Sequence, residues 1–581
     1  MPDNEAIVLV VFTALLIQLF AVWLPKKVSG YVELLLVLTV LALLFIQFPV
    51  GDAMLLMSYG ATTYTAFVFL IDRGKREKQI ELKELLEEVD ATEIFIERDH
   101  RRILADLLLT VIVCMGALTF FLFAPDTYTL LKMVIVFMFI TILAKSIERV
   151  GNFYSTRLYW VPEDEHLIVL SKFQSREFPL QDLKGIYIES SPDLLKLHPL
   201  FTLISVNQDY TSSFGKVLRL AFPGEYIFVT PKEFSKWEQH FKGFISEKDN
   251  QTNEQTEQNI LPLWHPIVLK RLFFKGYFAV TVKGISAYTG LLLLLIWLEA
   301  PWWLMVTFVL LWWGFNLSIS DRVLIAATDA TRVPSGDLYD RAQAIFRKAG
   351  VPGTKLFVMD SPVYNGLATG MNIGRSAVIL TSATLQLPAK AVDAIIAHEA
   401  IHVKKRDILT TQIARIFFLG CLAGLVYFFF DEIQALADYF IVLTLILYLL
   451  MMIFPIYLSF VAQWLEVRAD FLGGALLTDG HQQMAEGLTA LVTAQDHDID
   501  KGLDYSMSKQ SSARLQTSNK NRDSWFWRFI EFQFQNHPPM YWRIYVLSNC
   551  SSWPIARKRW ITDRFKESLP DFLRKSKMKE V

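Results

Sequence analysis

Cysteine is nearly missing from this chain: Cys114, Cys421 and Cys550 are the only three in 581 residues, and they lie far apart. Neither a disulfide framework nor a thiolate metal site can be built from them, so any metal must rely on histidine and carboxylate. An excess of either charge is also missing, with 57 Lys and Arg against 58 Asp and Glu and a net charge of -1. That balance removes the general electrostatic reason to expect nucleic acid as a partner. The opening MPDNEA lacks basic residues, and no small-residue cleavage site follows the first apolar run. That run is therefore expected to be a retained anchor rather than a signal peptide.

What is plentiful is apolar surface: 53% of residues are hydrophobic and mean hydropathy is +0.32. One soluble core cannot absorb that much, so the composition predicts a polytopic α-helical membrane protein. About nine runs are long enough to span a bilayer, near 6–24, 32–50, 53–71, 105–124, 130–146, 280–298, 301–319, 412–430 and 438–461. Lys26, Lys27, Arg73, Lys75, Arg76, Lys78, Lys145, Arg149 and Arg322 all follow odd-numbered runs, whereas GD, APDTY, EAP and DEIQALAD, which follow even-numbered ones, hold no Lys or Arg. This asymmetry predicts the N-terminus outside and every bulky segment in the cytoplasm. Lys132 is the exception, placed where it can snorkel to the outer interface.

The chain divides on this reading into a membrane region of about five spans at 1–150, a β-rich domain at 151–245, a flexible linker at 246–259, a transmembrane pair at 260–320 and a last domain at 321–581. In 151–245 the short alternating runs HLIVLS, GIYIES, FTLISV, VLRLAF and EYIFVT read as strands. TPKEFSKWEQHF then reads as a helix capped by Thr230, with Pro231 in its first position and Glu233 completing a capping box. Strands closed by one C-terminal helix resemble a bacterial pleckstrin-homology-like domain, which implies a lipid or protein contact. A packing module without a ligand fits the same pattern. In the last domain, DLYDRAQAIFRKAG reads as a helix stopped by Gly350, KLFVMD and SAVILT as strands, and AKAVDAIIAHEAIHVKK as a helix starting after Pro388.

That last helix contains His398-Glu399-Ala400-Ile401-His402. Positions i and i+4 share a helix face, so two imidazoles can bind one zinc while Glu399 beside them accepts a proton from water. Chance would produce HExxH in roughly one such chain in a hundred, so a third ligand is needed as confirmation. QWLEVRADFLGGAL, after the ninth run, places Glu466 and Asp470 four apart on another helix. Two spans separate it from His398, so the chain returns to the face it left and Glu466 becomes the candidate third ligand.

These segments resemble the membrane zinc metallopeptidases that include HtpX and the CAAX prenyl proteases, of gluzincin type. HEAIHVKKRD matches that family's helix, with Asp407 where HtpX-like members carry Asp, and EVRAD matches its ExxxD helix. The resemblance implies Zn2+ held by His398, His402 and Glu466, with Asp470 behind them. NGLATG, from Asn365, resembles the NAFATG segment leading into a substrate-aligning edge strand, and HPPMYWRI resembles an HPP…RI element. His537 is then a candidate donor to an oxyanion, Asn365 a candidate substrate-orienting residue, and Arg543 a candidate partner of Asp470. The alternatives are a turn at His537, before Pro538-Pro539, and a turn residue at Asn365. Ile401 and Gly366-Leu367 depart from the family pattern in ways that reshape the cleft without removing a ligand.

The resemblance covers about 330–545 and implies a zincin-like α+β metalloprotease domain facing the cytoplasm. The implied activity is zinc endopeptidase cleavage of polypeptides, chiefly membrane proteins under quality control, in a bacterial cell membrane. Processing of lipid-modified CAAX-type peptides remains open, as does a non-enzymatic lipid or envelope sensor on a protease scaffold. His481 reads as a surface loop residue, and His100, His166, His198, His240, His265 and His497 have no ligand spacing. SWFWRFIEFQF suits a cleft lining, the membrane interface or a core equally, and the basic tail from Arg557 suits solvent or an anionic leaflet.

Overall fold

The computed structural model describes residues 4–24, 26–68, 73–123, 129–189, 207–244, 265–278, 295, 299–369, 375–435, 440–508 and 518–570. Almost all of the run at 280–298, the linker 246–259, the strand candidate FTLISV and the tail beyond 570 lie outside the described residues. The amino-terminal part folds as helices α1 (Asn4–Trp23), α2 (Lys26–Gln47), α3 (Val50–Phe67), α4 (Arg73–Glu88), α5 (His100–Phe123) and α6 (Thr129–Ser155). Ile7 and Val10 of α1 and Leu56 and Tyr59 of α3 share one buried cluster.

Among the described residues three helices are long and apolar enough to cross a membrane, at Val28–Gln47, Trp302–Ala327 and Asp407–Phe428, while the expected runs at 53–71, 105–124, 280–298 and 438–461 lie partly or almost wholly outside those residues. Glu5–Ala21 and Thr110–Phe123 are apolar but shorter, and α3 is interspersed with Ser58, Thr62, Thr63 and Thr65.

The β-rich region holds two four-stranded sheets, β1-β2-β3-β4 and β5-β7-β8-β6. Their strands are β1 (Thr92–Ile94), β2 (Arg157–Val161), β3 (His166–Leu170), β4 (Arg176–Pro179), β5 (Gly185–Glu189), β6 (Asn207–Asp209), β7 (Val217–Phe222) and β8 (Glu225–Val229). β1 comes from ahead of α5 and pairs antiparallel with β2. The chain after it pairs again, with Glu97 N–H donating to Thr230 O and Lys232 N–H to Phe95 O, each at 2.8 Å. This pairing overrides the expected capping box. Thr230 and Pro231 are held in extended pairing, Thr230 Oγ1 accepts from Ser212 N–H at 3.1 Å, and helix α7 (Phe234–Lys242) begins later with no side-chain cap.

The carboxy-terminal part contains α8 (Pro266–Phe278), α9 (Trp302–Ala327), β9 (Thr331–Arg332), α10 (Asp337–Ala349), β10 (Lys355–Met359), β11 (Gly366–Thr369) and β12 (Ala377–Thr381). Then come α11 (Ala389–Lys405), α12 (Asp407–Phe428), α13 (Phe430–Ala435), α14 (Phe440–Gly474), α15 (Gly480–Ser506), α16 (Trp525–Phe534), α17 (Met540–Asn549) and α18 (Trp553–Glu567). Gly350 closes α10 in the left-handed region at φ 78°, the conformation that glycine adopts without strain.

The sheet order is β11-β12-β10-β9. SAVILT is therefore an inner strand, paired parallel with β10 and antiparallel with β11, and the exposed edge is GLAT itself. Every residue of β12 is buried, which suits an inner position. The buried helix α11 lies against α14 and α15, where glycines permit close approach. A Cβ on Gly473 would stand 3.2 Å from Ala397 O, and one on Gly487 would stand 2.6 Å from Ala394 Cβ.

Candidate metal centre

Helix α11 carries His398, Glu399 and His402 on its inner surface, and α14 delivers Glu466 from the far side. The two imidazole Nε2 atoms are 2.9 Å apart. Glu466 Oε2 lies 3.4 Å from His398 Nε2, and Glu466 Oε1 lies 3.3 Å from His402 Nε2. The spacing argument for a third ligand is thus met by geometry: one atom from each residue fits within 4.8 Å of the others, suiting a single ion.

The chemistry of the other ring nitrogens sharpens this. His398 Nδ1 meets Asp470 Oδ1 at 2.8 Å, and His402 Nδ1 meets Asp407 Oδ2 at 2.7 Å. If each Nδ1 donates to its carboxylate, both Nε2 lone pairs point into the same small space, where they repel unless a cation lies between them. Glu466 Oε2 is buried with no hydrogen-bond donor in bonding geometry, although His537 Nδ1 stands 2.9 Å away. Two facing lone pairs and an orphaned carboxylate oxygen fit a divalent ion with nitrogen and oxygen preferences such as zinc.

The carboxylates are themselves held. Arg543 donates from Nε to Asp470 Oδ2 at 2.8 Å and from Nη2 to Asp470 Oδ1 at 2.7 Å, a bidentate pair that fixes the carboxylate plane. Asp407 is gripped by Arg468. Sequence reasoning missed Arg468, because an arginine inside a helix pattern reads as exposed and its partner Asp407 lies 61 residues away. Burial alone pulls the proton affinity of both imidazoles down. The hydrogen bond to Asp470 and the nearby Glu466 carboxylate outweigh it at His398, whose pKa rises to about 9, and the bond to Asp407 with the Glu466 carboxylate raises that of His402.

The remaining residues surround the opening. Glu399 lies buried under the edge strand: a Cβ on Gly366 would stand 3.1 Å from Glu399 Oε1 and 2.8 Å from Ile395 Cγ2. Gly366 is therefore a second residue whose role the sequence concealed, where its departure from the NAFATG pattern was the available signal. The Asn365 backbone is fully engaged, its N–H donating to Thr384 Oγ1 at 2.8 Å and its carbonyl accepting from Thr381 N–H at 3.1 Å. His537 is mostly exposed, at 66%, beside Glu466. His481, at the start of α15, donates from Nε2 to Phe471 O at 3.0 Å and takes no part in the centre.

Comparison with known proteins agrees with this geometry. Residues 334–551 match Peptidase family M48, and residues 157–245 match the Bacterial PH domain family. A protein named Protease HtpX homolog from Pelotomaculum thermopropionicum is 36% identical over 107 residues, 18% of this chain and 38% of that protein. One from Sulfurihydrogenibium sp. is 34% identical over 104 residues, 17% of this chain and 35% of that protein. A third, from Sulfurovum sp., is 28% identical over 224 residues, 36% of this chain and 79% of that protein. The chain thus spans 38% and 35% of the length of the first two of these curated relatives. The His398, His402 and Glu466 cluster lies inside the stretch that matches peptidase family M48, where this chain is similar to proteins named Protease HtpX homolog.

Proposed function

We propose that this chain is an integral-membrane zinc metalloendopeptidase that cleaves polypeptides at the cytoplasmic face. The observation that carries the reading is the convergence of His398, His402 and Glu466 with Glu399 beneath an edge strand. Zinc held by those three would supply Lewis acidity toward the scissile carbonyl and toward water. Glu399 takes the proton of the attacking water on a carboxylate oxygen and passes it to the leaving amine, so no covalent acyl-enzyme is required. β11 offers main-chain hydrogen bonds to an extended peptide, which aligns it with little demand on side-chain identity. His537, exposed beside Glu466, donates to the oxyanion, and Asn365 orients the substrate backbone.

The distribution of Lys and Arg supports an outside N-terminus and a cytoplasmic centre in a bacterial cell membrane. The relatives' name supports a protease, and the resemblance of the motifs to HtpX-like enzymes is what suggests membrane proteins under quality control as substrates. Glu399→Gln removes the proton acceptor while sparing the ligands. Purified wild type should cleave an unfolded membrane-protein substrate, and Glu399→Gln should retain zinc and lose turnover by at least about a thousandfold. Cleavage by Glu399→Gln at the wild-type rate would sink the assignment.

A further inference from the structure

Helix α16 carries three large exposed aromatics in its first turn, Trp525, Phe526 and Trp527. Beside it, α18 exposes Ile561 and Phe565 four residues apart, and Leu569 follows four later in the turn beyond the helix. Exposed Lys558 and Lys566 flank that stripe. Two adjacent helices of one domain thus expose six large apolar side chains, far more than scattered surface residues explain.

Their position says what covers them. Phe418, within the spanning helix α12, packs its ring 5.0 Å from Phe454 and 5.3 Å from Tyr457 of α14. Only two residues further along α14, Ser459 Oγ donates to Gln535 O at 2.6 Å. Gln463 Nε2 donates to Glu531 O at 2.9 Å, and Arg564 Nη1 donates to Gln463 Oε1 at 2.6 Å. Both aromatic-bearing helices are therefore pinned to α14 just beyond the segment that packs on α12. Tryptophan, phenylalanine and flanking lysine at that depth have the composition of the water–hydrocarbon boundary, where aromatic rings seat among headgroups and lysines meet phosphates.

We infer that α16 and α18 form a collar lying in the bilayer interface, with Trp525, Phe526, Trp527, Ile561, Phe565 and Leu569 set into phospholipid. The inference rests on α12 spanning the membrane. It places the metal centre close to the surface: Glu466 is six residues past Phe460 on α14, about 9 Å along the axis. His537 follows Phe534 by only three residues. The collar thus seats the site's open mouth against the bilayer.

The test uses full-length protein in phosphatidylcholine and phosphatidylglycerol vesicles, with Cys114, Cys421 and Cys550 replaced by alanine. Single variants Trp527→Cys, Phe565→Cys, Ile416→Cys and Asp337→Cys carry a bimane label. Ile416 reports the span and Asp337 the aqueous domain. Labels at 527 and 565 should be quenched by a lipid spin label high on the acyl chain, more than by one near its end, and weakly by iodide. Asp337 should show the reverse. Quenching of 527 and 565 by iodide alone overturns the collar, as does protection from both quenchers, which would mean a protein partner or second copy covers it. Escape of the Ile416 label from lipid quenching would instead overturn the membrane reading and the collar with it.

Discussion

The two matched regions, 157–245 and 334–551, are built in opposite ways. The candidate metal centre grows from one helix turn, His398 to His402, and draws Glu466 from elsewhere. The β-rich region takes no such local shortcut: its first sheet borrows β1 from 92–94, and its core includes Tyr505 of α15, whose ring lies 4.9 Å from Phe178. The centre's chemistry is short-range, whereas the second region's stability is shared along the chain.

The same contacts fasten the regions together. Arg219 of β7 sits between the rings of Tyr187 and Tyr226, 4.0 Å and 4.8 Å from their centroids, and pairs with Glu189 at 3.3 Å and with Asp360. Tyr226 OH donates to Asp360 Oδ1 at 2.8 Å. Asp360 begins the loop that leads to Asn365 and the edge strand. On the other side, Asp182 accepts from Lys501 Nζ and from Tyr505 OH at 2.9 Å.

The sharpest way to break the comparison is inside the centre. Asp470→Ala should strip His398 of its orienting carboxylate and strand the buried Arg543 charge. Zinc affinity should fall by about 10–100-fold, with stability lost by about 3–5 kcal/mol, as read by chelator competition and thermal melting. A mild effect on both would mean the centre is less dependent on its second layer than its geometry implies.

Arg219→Ala tests whether the regions act as one body. The buried cation is lost, but Asp360 is 45% exposed, so about 1–3 kcal/mol is expected, below the full cost of a broken buried pair. Zinc should stay, and turnover should fall more than the stability loss explains. Unchanged turnover would make the β-rich region mechanically independent of the edge strand.

Gly366→Ala should be smaller still. Its methyl would press on Ile395 and Glu399, so turnover should drop several-fold with a modest fall in melting temperature, about 1 kcal/mol, the low end for added volume in a packed region. A neutral result would mean that Glu399 stands clear of the strand in the working enzyme.

Acidity should produce the gentlest effect, with a defined sign. His398 rises from 6.5 to about 9 without metal, and His402 is raised as well. Groups with raised folded pKa stabilise the metal-free protein below about 6.5 and lose that contribution as pH climbs through about 9. Zinc must expel these protons, so its affinity should move the opposite way, strengthening as pH rises from 6.5 to 9. Parallel trends in metal-free stability and zinc affinity would contradict the hydrogen bonds assigned to the two rings.

Legibility followed the range of the contacts. His398, Glu399, His402 and Glu466 were readable because helix periodicity and chain topology fix where they point, whereas the Asp470–Arg543 pair, 73 residues apart, was readable only through the family resemblance. Thr230 misled because its local capping signal lost to strand pairing with 95–97, a partner more than a hundred residues away. The edge strand was placed one strand off, since apolar SAVILT looks like a strand at either position and only pairing with β10 makes it internal. Arg468 carries no signal by residue type, and Gly366 signalled only a departure from the family pattern; a partner's approach gives each its role.

The most direct test of the central claim is the metal content of Glu466→Ala beside wild type and His402→Ala, all purified without added metal and measured by elemental analysis. Wild type should carry about one zinc per chain, and both variants should carry almost none while remaining folded, because two protein ligands do not hold a catalytic zinc. Full zinc retention in folded Glu466→Ala would remove that residue from the centre and contradict the account.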